Sequence, residues 1–179
     1  MLYKIITIMN NTLSLDKLIV ETCTEKDGAE LLNILKETQM DVWLSDKPDF
    51  QSFYIIKEPD TRKIICCFTF SQEGHIGILK NLVVKKDIQK KGIGTHIANN
   101  LVPKVAKKRD IKKLYLHGNN RGPYTSNYFW DKSIFTHIKS DEVKDKFMKD
   151  YYNHLVNDYS EEILCKESIY FLDLENCST

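Results

Sequence analysis

The chain has 179 residues, 42% hydrophobic and 28% charged, with a formal net charge of +1. That length suits one domain able to bury a core without covalent staples, and the near-neutral charge argues against a general nucleic-acid binder. Five cysteines, odd in number and with Cys66 and Cys67 adjacent, do not suit a disulfide framework, and no Cys/His spacing suits a structural metal.

Met1 to Met9 is apolar but too short to cross a bilayer and lacks a signal-peptide cleavage site. The expectation is an unexported, cytoplasmic protein with no membrane partner, a single domain over 1–179. Leu18-Ile19-Val20 predicts a short strand entering a helix, with Thr24 as N-cap and Asp27 completing a capping box. Leu31, Leu32, Ile34 and Leu35 give that helix an apolar face. Two β-rich runs follow, Ser52 to Lys57 and Lys63 to Ser71, with Glu58-Pro59-Asp60-Thr61 as the hairpin turn between them.

His75 to Val84 predicts a third strand, then a charged glycine-bearing turn and a helix over Thr95 to Lys108 with Ile97, Leu101 and Val105 on one face. Ile111 to His117 alternates as a strand, and the intervening length suits a parallel βαβ crossover. Pro123 to Lys132 predicts a short helix, Asp141 to Lys166 a longer amphipathic one, and Ile169 to Leu174 a last strand. The fold class is α/β with a mixed, mostly antiparallel sheet, flanking helices and a central parallel βαβ unit. The last strand offers an edge on which a homodimer could pair.

Charge is uneven along this order. Basic residues outnumber acidic ones by nine between Lys80 and Lys113, while Asp141 to Glu175 is acidic by six. An anionic ligand against the first segment and a solvated lysine face are both open on charge alone.

Gln89-Lys90-Lys91-Gly92-Ile93-Gly94-Thr95 lies between a strand end and a helix start. A glycine-bearing turn there lines up free amides and the positive end of the helix dipole, a setting for pyrophosphate, although a plain strand-to-helix turn has the same letters. A Walker loop is excluded by length and by the missing Gly-Lys-Ser/Thr ending, and a Rossmann fingerprint lacks its third glycine.

The stretch Val84 to Gly94 resembles the GNAT acetyltransferase signature, a strand end followed by Gln/Arg-x-x-Gly-x-Gly/Ala, and the likeness extends from Phe53 to Phe135. The resemblance implies acetyl-CoA as co-substrate, an amine acceptor and no metal. It implies that the backbone of Leu82, Val83 and Val84 holds the pantetheine arm, while the amides of Gln89, Lys90, Lys91, Gly92, Ile93, Gly94 and Thr95 cradle the pyrophosphate. Asn119, Asn120, Ser126, Asn127 and Trp130 are the candidates to meet the arm from the opposite side. A CoA-binding regulatory module without turnover is the alternative.

The implied reaction is direct attack of an amine on the thioester, with a backbone N–H near a strand bulge stabilising the oxyanion. Many relatives carry a tyrosine acid where this chain has Trp130, whose indole N–H cannot serve. Tyr128 and Tyr124 are the nearby candidates, and solvent is the alternative. For the base, His117 should face away from Leu114 and Leu116, with Glu73 and His75 next and a water chain as the alternative. Asp150, Tyr151, Tyr152, Asp158 and Tyr159 suggest either an acidic wall that attracts a cationic acceptor or a solvated amphipathic helix.

Overall fold

The computed structural model describes residues 5–8, 11–41, 48–118, 126–158 and 168–176. In chain order run β1 (Ile5–Ile8), β2 (Asn11–Ser14), β3 (Ile19–Thr22), α1 (Gly28–Glu37), β4 (Phe53–Lys57), β5 (Ile64–Glu73), β6 (Ile76–Val84), α2 (Ile93–His96), α3 (Val102–Lys108), β7 (Lys113–Gly118), α4 (Asn127–Trp130), β8 (Thr136–Ile138), α5 (Lys146–Asp158) and β9 (Ser168–Asp173). β1 and β2 pair by themselves, and the other seven strands form one sheet in the order β3-β4-β5-β6-β7-β9-β8. β6 and β7 run parallel, whereas the β3–β4, β4–β5, β7–β9 and β8–β9 ladders are antiparallel. The mixed α/β class with one parallel pair is the one read from the sequence.

By its internal contacts the chain divides into two units, Met1–Phe70 with Asn81–Ile97 and Ser71–Lys80 with Ala98–Thr179. In the first, Thr24 donates from its amide and hydroxyl to the Asp27 carboxylate at 3.0 and 2.7 Å, the predicted capping box, which contributes about 1 kcal/mol. Behind it the buried face of α1, Leu31, Ile34 and Leu35, packs with Cys23, Phe53, Ile55, Ile64, Cys67 and Val83. Each fully buried aliphatic side chain contributes about 1.5–3 kcal/mol, so this apolar cluster dominates the unit's stability. Gly28 lets α1 approach closely, since a Cβ there would lie 2.8 Å from the Phe50 ring. Lys57 Nζ stands 3.1 Å from Glu21 and 2.7 Å from Asp27, joining two strands to the helix cap.

In the second unit the β6–β7 ladder runs from Ile76 opposite Lys113 to Leu79 opposite Leu116. Ile78, Tyr115, Val143, Met148 and Ile169 form its core, with Ile76, Phe147, Tyr151, Tyr152 and Phe171 packed against them. One face of α5 thereby covers one face of these strands. Asp145, just ahead of α5, accepts from the Tyr115 hydroxyl at 2.5 Å and pairs with Lys113 at 3.2 Å, pinning the start of the helix to β7.

Three expectations are corrected. The helix expected over Asp141–Lys166 begins only at Lys146, because Ser140–Glu142 closes a 3-10 turn with the Glu142 carboxylate on the Lys139 amide, and Val143 is then extended. The helix expected from Thr95 starts at Ile93 and contains a π turn over Ile97–Leu101, ending two residues before Pro103, whose ring and missing N–H disfavour regular α geometry in the preceding turn. The last strand is not an edge: β9 lies between β7 and β8, so both its sides are paired and the basis for dimer pairing through it is gone. β1, β2 and β8 were not anticipated.

Candidate functional site

β6 bends where Asn81 adopts φ +53, a left-handed conformation unusual inside a strand and best tolerated by Asn among non-glycine residues. Beyond it Val83 enters the core of its unit, while Leu82 and Val84 are half-buried. The Lys85 amide then donates to Ile65 at 2.9 Å, anchoring the strand end to β5.

A 3-10 turn over Lys86–Ile88 follows, plugged by buried Ile88. Gln89 folds back so that its Nε2 donates to the Val84 carbonyl at 2.8 Å. Lys90 and Gly92 are both left-handed, at φ +60 and +78, and left-handed residues in a turn are the setting of anion-binding amide concavities. A Cβ at Gly92 would meet nothing within 4 Å, so the need for glycine is conformational. His96 donates to the Gly92 carbonyl as the first helical bond, which leaves the Ile93, Gly94 and Thr95 amides ahead of any intrahelical acceptor. Lys91 Nζ donates to the Asp87 carbonyl at 3.2 Å, and exposed Lys90 adds a second positive charge to the turn. Orphan amides, a helix start and lysines fit a pyrophosphate.

The other predicted residues lie in the second unit or outside the described residues. Asn119, Asn120 and Tyr124 are in the latter group. Asn127 donates to the Ser168 hydroxyl at 3.0 Å, and its Oδ1 stands 2.4 Å from where a Cβ on Gly118 would be, so it braces the end of β7 against the start of β9. The Ser126 carbonyl accepts the Phe129 and Trp130 amides that form the single turn of α4. That turn points Trp130 inward, 6% exposed and edge-on to Phe135 at 5.5 Å, and points Tyr128 outward, 71% exposed. The Tyr128 hydroxyl is bonded by Lys132 Nζ, which also lies 3.8 Å from its ring centre. His75 is exposed and 3.0 Å from the Asp110 carboxylate.

His117 projects to the face opposite Leu114 and Leu116, as expected, where its ring meets Tyr152 edge-on at 6.3 Å. Sequence reasoning passed over Asn81 and Lys80. Asn inside an apolar run was the available signal for the first, and nothing separated Lys80 from the other lysines of its stripe. Burial pushes the thiols of Cys23 and Cys67 up to about 11 and about 12 and that of Cys66 well above its ordinary value, so none of the three offers a thiolate nucleophile. Among the described residues no His/Cys/Asp/Glu group is arranged to hold a metal, and no helix is long and apolar enough to cross a membrane.

A seven-stranded mixed sheet with one parallel pair, a bent strand at that pair and a glycine-bearing turn into a helix defines the acetyltransferase fold class. A profile of the acetyltransferase (GNAT) family matches residues 15–123, and the chain belongs to that family. Among solved structures, N-acetylglutamate synthase from Neisseria gonorrhoeae, complexed with coenzyme A and N-acetyl-glutamate, superposes with a TM-score of 0.63 at 15% identity. The match covers 88% of this chain but only 35% of the synthase. A GNAT family acetyltransferase from Elizabethkingia anophelis with acetyl-CoA bound gives 0.56 at 20% identity, over 88% and 99% of the two chains. The PaiA N-acetyltransferase from Thermoplasma acidophilum, in complex with coenzyme A, gives 0.58 at 13%, over 87% and 98%. No functionally curated protein matches the sequence.

Proposed function

We propose that the protein transfers the acetyl group of acetyl-CoA to an amine by direct attack. The observation that carries this reading is the loop after β6, in which left-handed Gly92 heads a helix and Gln89 ties the turn to Val84, within a chain of an acetyltransferase family. The amides from Gln89 to Thr95 hold the pyrophosphate, Lys90 and Lys91 add charge beside it, and the backbone of Leu82 to Val84 lines the pantetheine arm.

The acceptor amine, once deprotonated, attacks the thioester carbonyl carbon, and a backbone N–H at the Asn81 bend stabilises the oxyanion. The carbon–sulfur bond then breaks as the amide forms. His117 or a water chain takes the ammonium proton, and water protonates the departing thiolate. The exposure of Tyr128 and its engagement with Lys132 support water over Tyr128 as the acid, with Tyr124 the other candidate. Buried, protonated thiols support direct attack over a cysteine intermediate and fit a reducing, cytoplasmic setting.

Thermal unfolding with and without acetyl-CoA tests the reading. A ligand at a hundred times its Kd should raise the midpoint by about 5 °C, and Gly92→Glu should abolish the rise. No rise at saturating acetyl-CoA would sink it. Buried Trp130 at the family's tyrosine position favours a second reading, CoA binding without turnover. Stabilisation by acetyl-CoA with no thiol release across a broad amine panel would support that reading instead.

A further inference from the structure

A cavity of about 440 Å³ opens in the second unit, where β6 and β7 begin and α5 starts. That volume lies within the usual range for a small-molecule site. Ile76 and Phe147, both half-buried, give it an apolar surface. Glu73 and His75, the alternatives to His117 as base in the sequence, line it from the turn between β5 and β6. The glycine turn assigned to acetyl-CoA follows the other end of β6 and belongs to the first unit.

Most charges on the walls of this cavity are matched. Lys112 pairs with Glu175 at 3.2 Å, Lys113 with Asp145 at 3.2 Å and His75 with Asp110 at 3.0 Å. Glu73 differs, because its carboxylate joins no salt bridge among the described residues. The opposite charge that it senses is Lys146, on the α5 wall. Asp150 raises the pKa of that ammonium most, through a hydrogen bond, and Glu73 adds to it only through space. Asp150 holds Lys146 from the next turn of the same helix, and an exposed pair of this kind is weak enough to yield to another anion. The first helical bond of α5 runs from the Lys149 amide to the Asp145 carbonyl, so the Lys146 and Phe147 amides precede any intrahelical acceptor and the helix dipole is positive there. The cavity therefore has a negative pole at Glu73, a positive pole at the start of α5 and an apolar surface besides.

We propose that this cavity is a second binding site, for a small zwitterion: an amino acid with an apolar side chain, its ammonium on Glu73, its carboxylate on Lys146 and its side chain against Ile76 and Phe147. A ligand with both charges completes the pair that Glu73 and Lys146 do not make with each other, through two charge-assisted hydrogen bonds. An amine or a carboxylic acid alone meets one pole and leaves the other unmet. The site stands apart from the acetyltransferase reading, since all its residues lie in the second unit and the proposed transfer uses none of them.

Calorimetric titration of the intact chain, without acetyl-CoA, tests this with leucine and phenylalanine, their carboxamides and their N-acetyl derivatives. The free amino acids should bind at least about tenfold more tightly than either derivative, the worth of one hydrogen bond to a charged group. Glu73→Gln and Lys146→Gln should each weaken that binding about tenfold. Both side chains are exposed, so the ligand-free Tm of each variant should stay at the wild-type value. No saturable binding of either amino acid would overturn the inference, as would a carboxamide or an N-acetyl derivative that binds as tightly. An affinity that survives either substitution would also overturn it and would place the amino acid at another site, such as that of the acceptor.

Discussion

Gln89 reaches back to the end of β6, its Nε2 donating to the Val84 carbonyl at 2.8 Å, so the turn that opens the helix is tied to the strand it leaves. The glutamine therefore acts through its side chain on the shape of the turn, beyond any part its amide takes in holding phosphate. Gln89→Ala should weaken acetyl-CoA binding about fivefold, the worth of one exposed hydrogen bond of about 1 kcal/mol. Calorimetric titration checks this, and an unchanged Kd would mean that the turn keeps its shape without the tie.

Gly92 and Gly74 make a matched pair, both left-handed and both with open space where a Cβ would stand. Alanine at either should cost about 1–2 kcal/mol of stability from backbone strain alone. Only Gly92→Ala should also weaken acetyl-CoA binding. Equal losses of affinity in the two variants would show that the effect is general destabilisation and leave the turn without a special part.

Lys80 should oppose folding at neutral pH. Its folded pKa is lowered from 10.5 by burial, so the folded state binds fewer protons than the unfolded one, and the penalty is relieved as pH rises through the lysine range. Lys80→Met keeps the packing on Tyr151, whose ring centre lies 4.8 Å from the ammonium, and removes the buried charge. It should raise the Tm at pH 7 by about 2 °C, with the difference shrinking toward pH 10, by scanning calorimetry. A lower Tm in the variant would mean that the cation–π contact outweighs desolvation.

Lys57 sits between Glu21 and Asp27, and the three titrate in a stabilising sense. The Arg62 hydrogen bond, with Lys57, lowers Glu21 from 4.5; burial pushes Asp27 up, but bonds from Lys57 and Thr24 outweigh it and the net shift is downward. Lys57 itself is raised from 10.5, chiefly by Asp27. The carboxylate contributions are in force above the unfolded values and lost as pH falls through the lowered ones, while the lysine contribution is lost only as pH rises past its raised pKa. Wild type should lose stability below about pH 4.5, and Lys57→Met should flatten that acid limb while lowering the neutral Tm. An acid limb of unchanged steepness in Lys57→Met would refute this account.

Much of this arrangement was legible in the letters. The Thr24–Asp27 capping box, the hairpin around Pro59 and the parallel pair around a helix each follow from local chemistry or periodicity, and the glycine turn was found by its place between strand and helix. What escaped depends on single dihedrals or on distant chain. The handedness of Asn81 leaves no periodic trace, and three residues of β8 are too few to show alternation. One turn of α4 cannot set its own phase, so which of Tyr128 and Trp130 points inward was not readable. Lys80 stood in a lysine-rich stretch and acquired its separate environment only from α5, far along the chain, whose late start at Lys146 was set by the Glu142 cap.

The position of β9 bears on how the chain assembles as it is made. β8 is synthesised well before β9, yet its neighbour in the sheet is β9 and not β7, so β8 has no place to dock until the strand that separates them arrives. Until then β7 presents an unpaired edge, a template for association with other chains. Vectorial synthesis therefore gives this protein a window of vulnerability that closes when Ser168–Asp173 slides between its two neighbours.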